Sequence, residues 1–245
     1  MTHCIFCGLI PGKGQEVCIT KRESDRCPES SDTLASGPFK GLKRKGYRVL
    51  YVDPPWQFKT RSDAGKGRSP EMHYPCQSLD DLKALPVADL AAPDCALFLW
   101  VIDTHIEQAL ELAKAWGFEY KTRAFCWAKL QAKIDPVIPA GDETAYFTGM
   151  GYWTRANPED CWLLTKGAPN RAGQSGPAAS VKRLVVTPRR EHSRKPDEII
   201  ERIETLIEGP YVELFARQSR PGWDCWGNET GKFNPPPMRR ARALL

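Results

Sequence analysis

The chain has 245 residues, of which 41% are apolar and 10% aromatic, enough to bury one sizeable core without requiring a second. A net charge of +5 is compatible with a polyanionic partner but does not identify one. No apolar run approaches about eighteen residues and no apolar segment follows a basic start, so the expectation is a soluble, cytoplasmic protein with neither a membrane span nor a secretory signal.

Residues 1–40 differ from the rest. They hold Cys4, Cys7, Cys18 and Cys27 among glycines and charges, show little apolar periodicity, and read as an appendage and linker. In a reducing compartment a CxxC pair with further cysteines points to zinc, because thiolates favour the tetrahedral ion. Only Cys4 and Cys7 are paired at ligand spacing, so a structural zinc knuckle on these four cysteines stands beside a flexible tail with free thiols. The main domain is expected over 41–231, and 232–245 is a Pro- and Arg-rich tail expected to be disordered.

Residues 48–52 are β-branched, aromatic and apolar and predict a short buried strand. It stops at Asp53, because Pro54 and Pro55 cannot donate to a sheet ladder. The acid is thereby set at a strand's carboxyl edge, where open α/β sheets bind ligands. Asp53 offers a carboxylate, Pro54 a bare carbonyl and Trp56 a flat apolar face. Together they suit a planar amine, since two oxygens accept both amino hydrogens while the ring is stacked. The plainer alternative is a strand-ending turn with an exposed acid.

A polar stretch with Lys59, Arg61, Lys66 and Arg68 follows, long enough inside a compact domain to be functional or disordered. Ser78 with Asp81 forms a capping-box-like start to a helix through about Leu85. Residues 95–100 predict a second strand. Thr104 with Glu107 predicts the cap of a helix whose core face is Ile106, Ala109, Leu110, Ala113 and Trp116, ended by Gly117. A third strand is expected at about 120–127, then a loop region from 131 to 157 carrying Trp153 and Arg155. Two further strands are expected at 161–164 and 184–186. The basic run Arg189 to Lys195 precedes Pro196, read as a first helical residue, and a stripe of Ile199, Ile200, Ile203, Leu206 and Ile207. The last strand is expected at 211–215. Strand and helix alternate in this order, which argues for a mostly parallel sheet with helices on both faces, although no GxGxxG, P-loop, HExxH or GxSxG is present.

Six motifs carry a resemblance. The corner Asp53-Pro54-Pro55-Trp56, Tyr74-Pro75, Leu97 to Trp100, Gly151 to Arg155, Arg189 to Glu198, and Glu213 to Arg217 with Trp223 to Glu229 together resemble the MT-A70 family of N6-adenine methyltransferases, from about residue 47 to 231. The resemblance implies a Rossmann-like methyltransferase fold in circularly permuted motif order, with the catalytic corner early and the cofactor strand late. It implies S-adenosylmethionine as cofactor, contacted by Asp53, Lys195, Phe215, Arg217, Asn228 and Glu229. It implies a catalytic role for Asp53, Pro54, Pro55 and Trp56, and substrate contacts from Trp56, Lys59, Arg61, Tyr74, Trp153, Arg155, His192 and Arg194. The 189–229 region looks like the DNA-directed members of bacteria and phages. The expected partner is therefore nucleic acid, DNA before RNA, with RNA adenosine methylation or a catalytically inactive subunit supporting a partner as alternatives, and a homo- or hetero-dimer left open.

The chemistry is arguable from the residues. Adenine's exocyclic nitrogen is a poor nucleophile because its lone pair is delocalised into the ring. Two fixed acceptors bind its hydrogens more strongly as positive charge grows on nitrogen, which lowers the barrier with no metal or covalent intermediate.

Overall fold

The computed structural model describes residues 33–57, 76–133, 142–149, 151, 153–173, 176–191 and 193–234. The chain divides into two compact units, Met1–Arg44 and Lys45–Leu245. In the first unit, Thr33 bridges to Lys43, and the Leu34 amide donates to the Leu42 carbonyl at 2.8 Å. The four cysteines read as zinc ligands lie outside the described residues, among which no cluster of metal-ligating side chains occurs.

The second unit opens with β1 (Tyr47–Val52), α1 (Leu79–Ala84) and β2 (Ala91–Val101). Next come α2 (Ile106–Ala115), β3 (Glu119–Leu130), β4 (Glu159–Lys166) and β5 (Leu184–Pro188). It closes with α3 (Glu198–Leu206), β6 (Tyr211–Leu214) and β7 (Trp223–Trp226). The strands form one sheet in the order β5-β3-β4-β2-β1-β6-β7. Neighbours are parallel except at β4, which runs antiparallel to both β2 and β3.

From β1 the chain winds through α1 toward β2, and later returns through α3 to β6 on the other side of β1. Right-handed crossovers in opposite directions put their helices on opposite faces of the sheet. The packing agrees. Ile199, Ile200 and Ile203 of α3 join Val49, Tyr51, Phe98 and Trp100 in one cluster. By the period-two alternation of strands, Leu50, Leu97 and Leu99 point to the other face, where they are fully buried as well. The helix of that side, α2, packs on β3 and α1, and the Trp116 indole donates to the Leu82 carbonyl at 3.0 Å.

Several elements differ from expectation. Ser78 caps α1 as anticipated, accepting from the Asp81 amide at 3.2 Å. Thr104, however, belongs to a 3-10 turn at Asp103–His105, and no side chain caps α2. The turn rotates the helix, so Ala109, Leu112, Ala113 and Trp116 are buried while Ile106 and Leu110 stay 45% and 44% exposed. Pro196 lies outside α3, which begins at Glu198. Leu214 is followed not by the last turn of the domain but by another strand, β7. Its four residues alternate too briefly, and carry too polar an Asp224, to read as a strand from sequence. The domain also extends past 231. Phe233 sits 4.6 Å from the Arg217 guanidinium and 5.0 Å from that of Arg194, and the Asn234 side chain bonds Ser219 twice at 2.9 Å.

Candidate active site

β1 and β6 lie side by side, yet the chain leaves them in opposite directions, so their carboxyl ends flank a topological switch point. Val52 is in register with Leu214, which puts Asp53 beside Phe215. A crevice there is lined by Tyr51, Asp53, Lys195, Glu213, Phe215 and Arg217, with Gln218 and Arg220 behind them. Phe215 leaves the strand in the left-handed region, at φ 60°, with its ring edge-on to Trp226 at 5.3 Å. The turn is held by a close approach. A Cβ on Gly227 would lie 2.5 Å from the Ala216 carbonyl oxygen and 2.6 Å from its nitrogen, so only glycine lets the two backbones touch.

The Asp53 carboxylate receives the Lys195 ammonium at 2.8 Å, and that ammonium also reaches Glu159 at 3.3 Å and lies over the Trp100 ring at 5.0 Å. Glu159 takes a second cation, Lys129, at 2.8 Å. Burial pushes the Asp53 carboxyl up, Lys195 pulls it back, and the net stays above the ordinary carboxylate range. Burial acts in the same sense on Glu159, but there Lys195 and Lys129 outweigh it and hold the carboxyl at about 2. The pair therefore differs in kind. Glu159 is a fixed anion, and Asp53 is a half-buried carboxylate whose charge depends on the lysine beside it.

Sequence reading had no route to Glu159, although Glu159 and Asp160 stand just before an apolar run. In a parallel sheet the site collects residues that follow a strand. Because β4 is antiparallel, its first residue, not its last, lies at the carboxyl edge of the neighbouring strands. Tyr51 was also missed. Its hydroxyl accepts the Trp100 indole hydrogen at 2.7 Å, which fixes the floor of the crevice.

The corner itself is less open than its sequence suggested. The Pro54 carbonyl already accepts the Trp56 amide at 2.8 Å, leaving one lone pair for a ligand. The Trp56 ring is only 6% exposed, donates to the Trp100 carbonyl at 3.3 Å and tilts against His105 at 5.6 Å, so it walls the corner from behind. The Pro55 carbonyl accepts the Gln77 amide at 2.9 Å.

The remaining residues separate into three groups. Lys195, Phe215 and Arg217 meet Asp53 at the crevice, and Arg217 is tied to Glu229 at 3.1 Å while Asn228 is exposed on the adjoining turn. Trp153 and Arg155 are exposed and do not line the crevice, Trp153 at 93% and with φ 69°. Lys59, Arg61, Tyr74 and His192 lie outside the described residues. Two arginines of the basic run are ion-paired, Arg190 with Asp197 at 2.6 Å and Arg194 with Glu191 at 3.2 Å, while Arg189 keeps its charge over the Phe147 ring at 4.1 Å.

The crevice thus pairs a half-buried carboxylate with cations and an aromatic ring. Two buried polar atoms in its wall, the Gln218 Oε1 acceptor and the Arg194 Nε donor, have no hydrogen-bond partner among the described residues. Such atoms cost free energy unless a ligand satisfies them.

The MT-A70 family model matches residues 47–229. The chain is similar to the Type II methyltransferase M.MunI of a Mycoplasma species, 31% identical over 208 residues that cover 78% of this chain and 81% of that one. It is similar to the human N(6)-adenine-specific methyltransferase METTL4, 30% identical over 78% of this chain and 39% of that protein. It is also similar to the catalytic subunit METTL3 of the human N(6)-adenosine-methyltransferase, 30% identical over 75% of this chain and 28% of that protein. The match spans well under two thirds of both human relatives.

Proposed function

Because the chain belongs to the MT-A70 family, we propose that it methylates the exocyclic N6 amino group of adenine in DNA, using S-adenosylmethionine bound in the crevice between β1 and β6. The observation that carries this reading is Asp53, a half-buried carboxylate at the switch point, paired with Lys195 at 2.8 Å. The likeness to a Type II methyltransferase over four fifths of that protein favours DNA. The names of the adenosine methyltransferases among its relatives keep RNA as the second reading.

The residues present fit the cofactor. Asp53 suits an ammonium, Lys195 and Arg217 suit a carboxylate, Phe215 offers a ring face, and the unpaired Gln218 and Arg194 atoms require one donor and one acceptor from a ligand. Bound there, the cofactor supplies an electrophilic methyl group on a sulfonium. The chain's own residues do the rest. Asp53 and the free lone pair of the Pro54 carbonyl accept the amino hydrogens, and both are fixed before reaction, so their attraction grows with the charge on nitrogen. Lys195 keeps Asp53 ionised against its burial, and Glu159 holds Lys195 in place. Adenine must leave a duplex to reach this depth, which requires a stacking partner at the mouth. Tyr74 is proposed as that partner, and Lys59, Arg61, Trp153, Arg155 and His192 as further contacts to the nucleic acid.

The test is transfer of labelled methyl from S-adenosylmethionine to duplex DNA, single-stranded DNA and RNA in parallel, followed by nucleoside analysis. N6-methyladenine in DNA is the expected product. Label confined to RNA would replace the DNA reading, and no transfer to any of them would point to an inactive subunit or one that needs a partner.

A further inference from the structure

One wall of the crevice is made by the segment 190–197, which contributes Ser193, Arg194 and Lys195. Pro196 is buried, Lys195 reaches out to Asp53, Glu159 and the Trp100 ring, and several other bonds of its described residues are internal. The Arg190 guanidinium donates to the Lys195 carbonyl at 2.7 Å, and the Arg194 amide donates to the Glu191 carbonyl at 3.1 Å. The internal bonds shape the segment but do not fix it to β6, so its position over the strand end depends on the contacts that cross to that strand and its turn.

Arg220 makes such a contact. It comes from the turn between β6 and β7 and is 16% exposed. Its Nε donates to Glu213 of β6 at 3.1 Å and its Nη1 to Asp197, the residue before α3, at 2.9 Å. A guanidinium spans two carboxylates in this way because its donors form a rigid planar fork, which a lysine ammonium does not reproduce. Asp197 consequently leaves α3 without a side-chain cap. Glu213 is mostly shielded beside Tyr51, and burial pushes its carboxyl up while the same arginine pulls it back. We infer that Arg220 is a positioning residue, a clamp that fastens the 190–197 segment to the end of β6 and so seats Lys195, Arg194 and Gln218 for the cofactor.

This inference rests on the crevice being the cofactor site, and two readouts separate them. The first needs no cofactor. Amide hydrogen exchange of the whole unliganded protein should show residues 190–197 exchanging about tenfold faster or more in Arg220→Gln, with β1 and the interior of α3 unchanged, as expected of local opening. The second is calorimetric affinity for S-adenosylmethionine, expected to fall about tenfold in Arg220→Gln and to recover in part in Arg220→Lys. Adding Asp197→Asn to Arg220→Gln should cost less than the same change in the wild type, because the two residues share one ion pair, and the remaining cost is that of the Arg190–Asp197 pair. If Arg220→Gln does not fold, Arg220→Lys and Asp197→Asn carry the same comparison. Wild-type exchange rates over 190–197 would overturn the clamp. Faster exchange with unchanged cofactor affinity would overturn its role in binding, and failure of the wild type to bind the cofactor would overturn the functional reading while exchange still decides the clamp.

Discussion

At the scale of single residues, the active corner sets stability against function. Burial raises the Asp53 carboxyl above its ordinary range, so its ionised form costs folding free energy at the pH where it is needed. Asp53→Asn is therefore expected to melt at or above the wild-type temperature while methyl transfer falls by about a hundredfold or more, as for loss of one preorganised acceptor. Turnover near wild type in the folded variant would remove Asp53 from the mechanism. Glu159 has the opposite sign. Held at about 2 against an ordinary 4.5, it contributes stability that is fully present above its unfolded value and is lost as pH falls toward 2. Glu159→Gln should flatten the acid side of the stability profile by an amount on the order of 2 to 3 kcal/mol, read from denaturant unfolding at a series of pH values. Parallel profiles for the two proteins would reject the assignment. Asp53 was legible in the sequence because two prolines after an apolar run leave little but a strand end. Glu159 was not, because its place depends on strand direction, which no local pattern encodes.

At the scale of elements, the legible features were those fixed by short-range chemistry. The Ser78 cap, the isoleucine stripe of α3 and the positions of six strands followed from periodicity and capping. Two features were misread. A 3-10 turn stands where the cap of α2 was expected and the buried face of that helix differs from the expected one, and β7 was hidden because four residues are too few to show a period. β7 nonetheless matters, since the Gly227 contact presses its end against Ala216 and so shapes the Phe215 turn. Gly227→Ala inserts a methyl group where no space exists. It should destabilise the protein by about 1 to 3 kcal/mol through overpacking and weaken cofactor binding with it. Thermal unfolding and calorimetry would check both, and an unchanged melting point would mean the two backbones separate freely.

At the scale of the whole molecule, the unit from Lys45 to Leu245 holds every residue placed at the crevice. Residues 45–245 alone are expected to fold, to melt within a few degrees of the full chain and to bind S-adenosylmethionine with the same affinity. Metal analysis of the two proteins, purified without added zinc, decides the Cys4, Cys7, Cys18 and Cys27 proposal at the same time. One zinc per full-length chain, absent from the shorter form, is the supporting result, and no zinc in either ends it. No helix among the described residues is long and apolar enough to cross a membrane.

The reversal of β4 carries one more consequence. Since β3 ends and β4 begins at the edge where the crevice opens, the connection between them leaves and re-enters the sheet beside the active corner, pinned where Asn157 donates to the carbonyls of Lys129 and Phe147 at 2.8 and 2.6 Å. The inner part of the connection is built into the sheet, since Tyr146 bridges Leu130 and Ala145 is buried, whereas Trp153, Thr154 and Arg155 beyond it are exposed. Grafting the corresponding stretch of a relative in place of residues 148–156 should leave the melting point and cofactor affinity near wild type while changing which adenines are methylated. Sequencing of methylated sites would read the outcome. If the graft kept the original target, recognition would reside in another part of the chain.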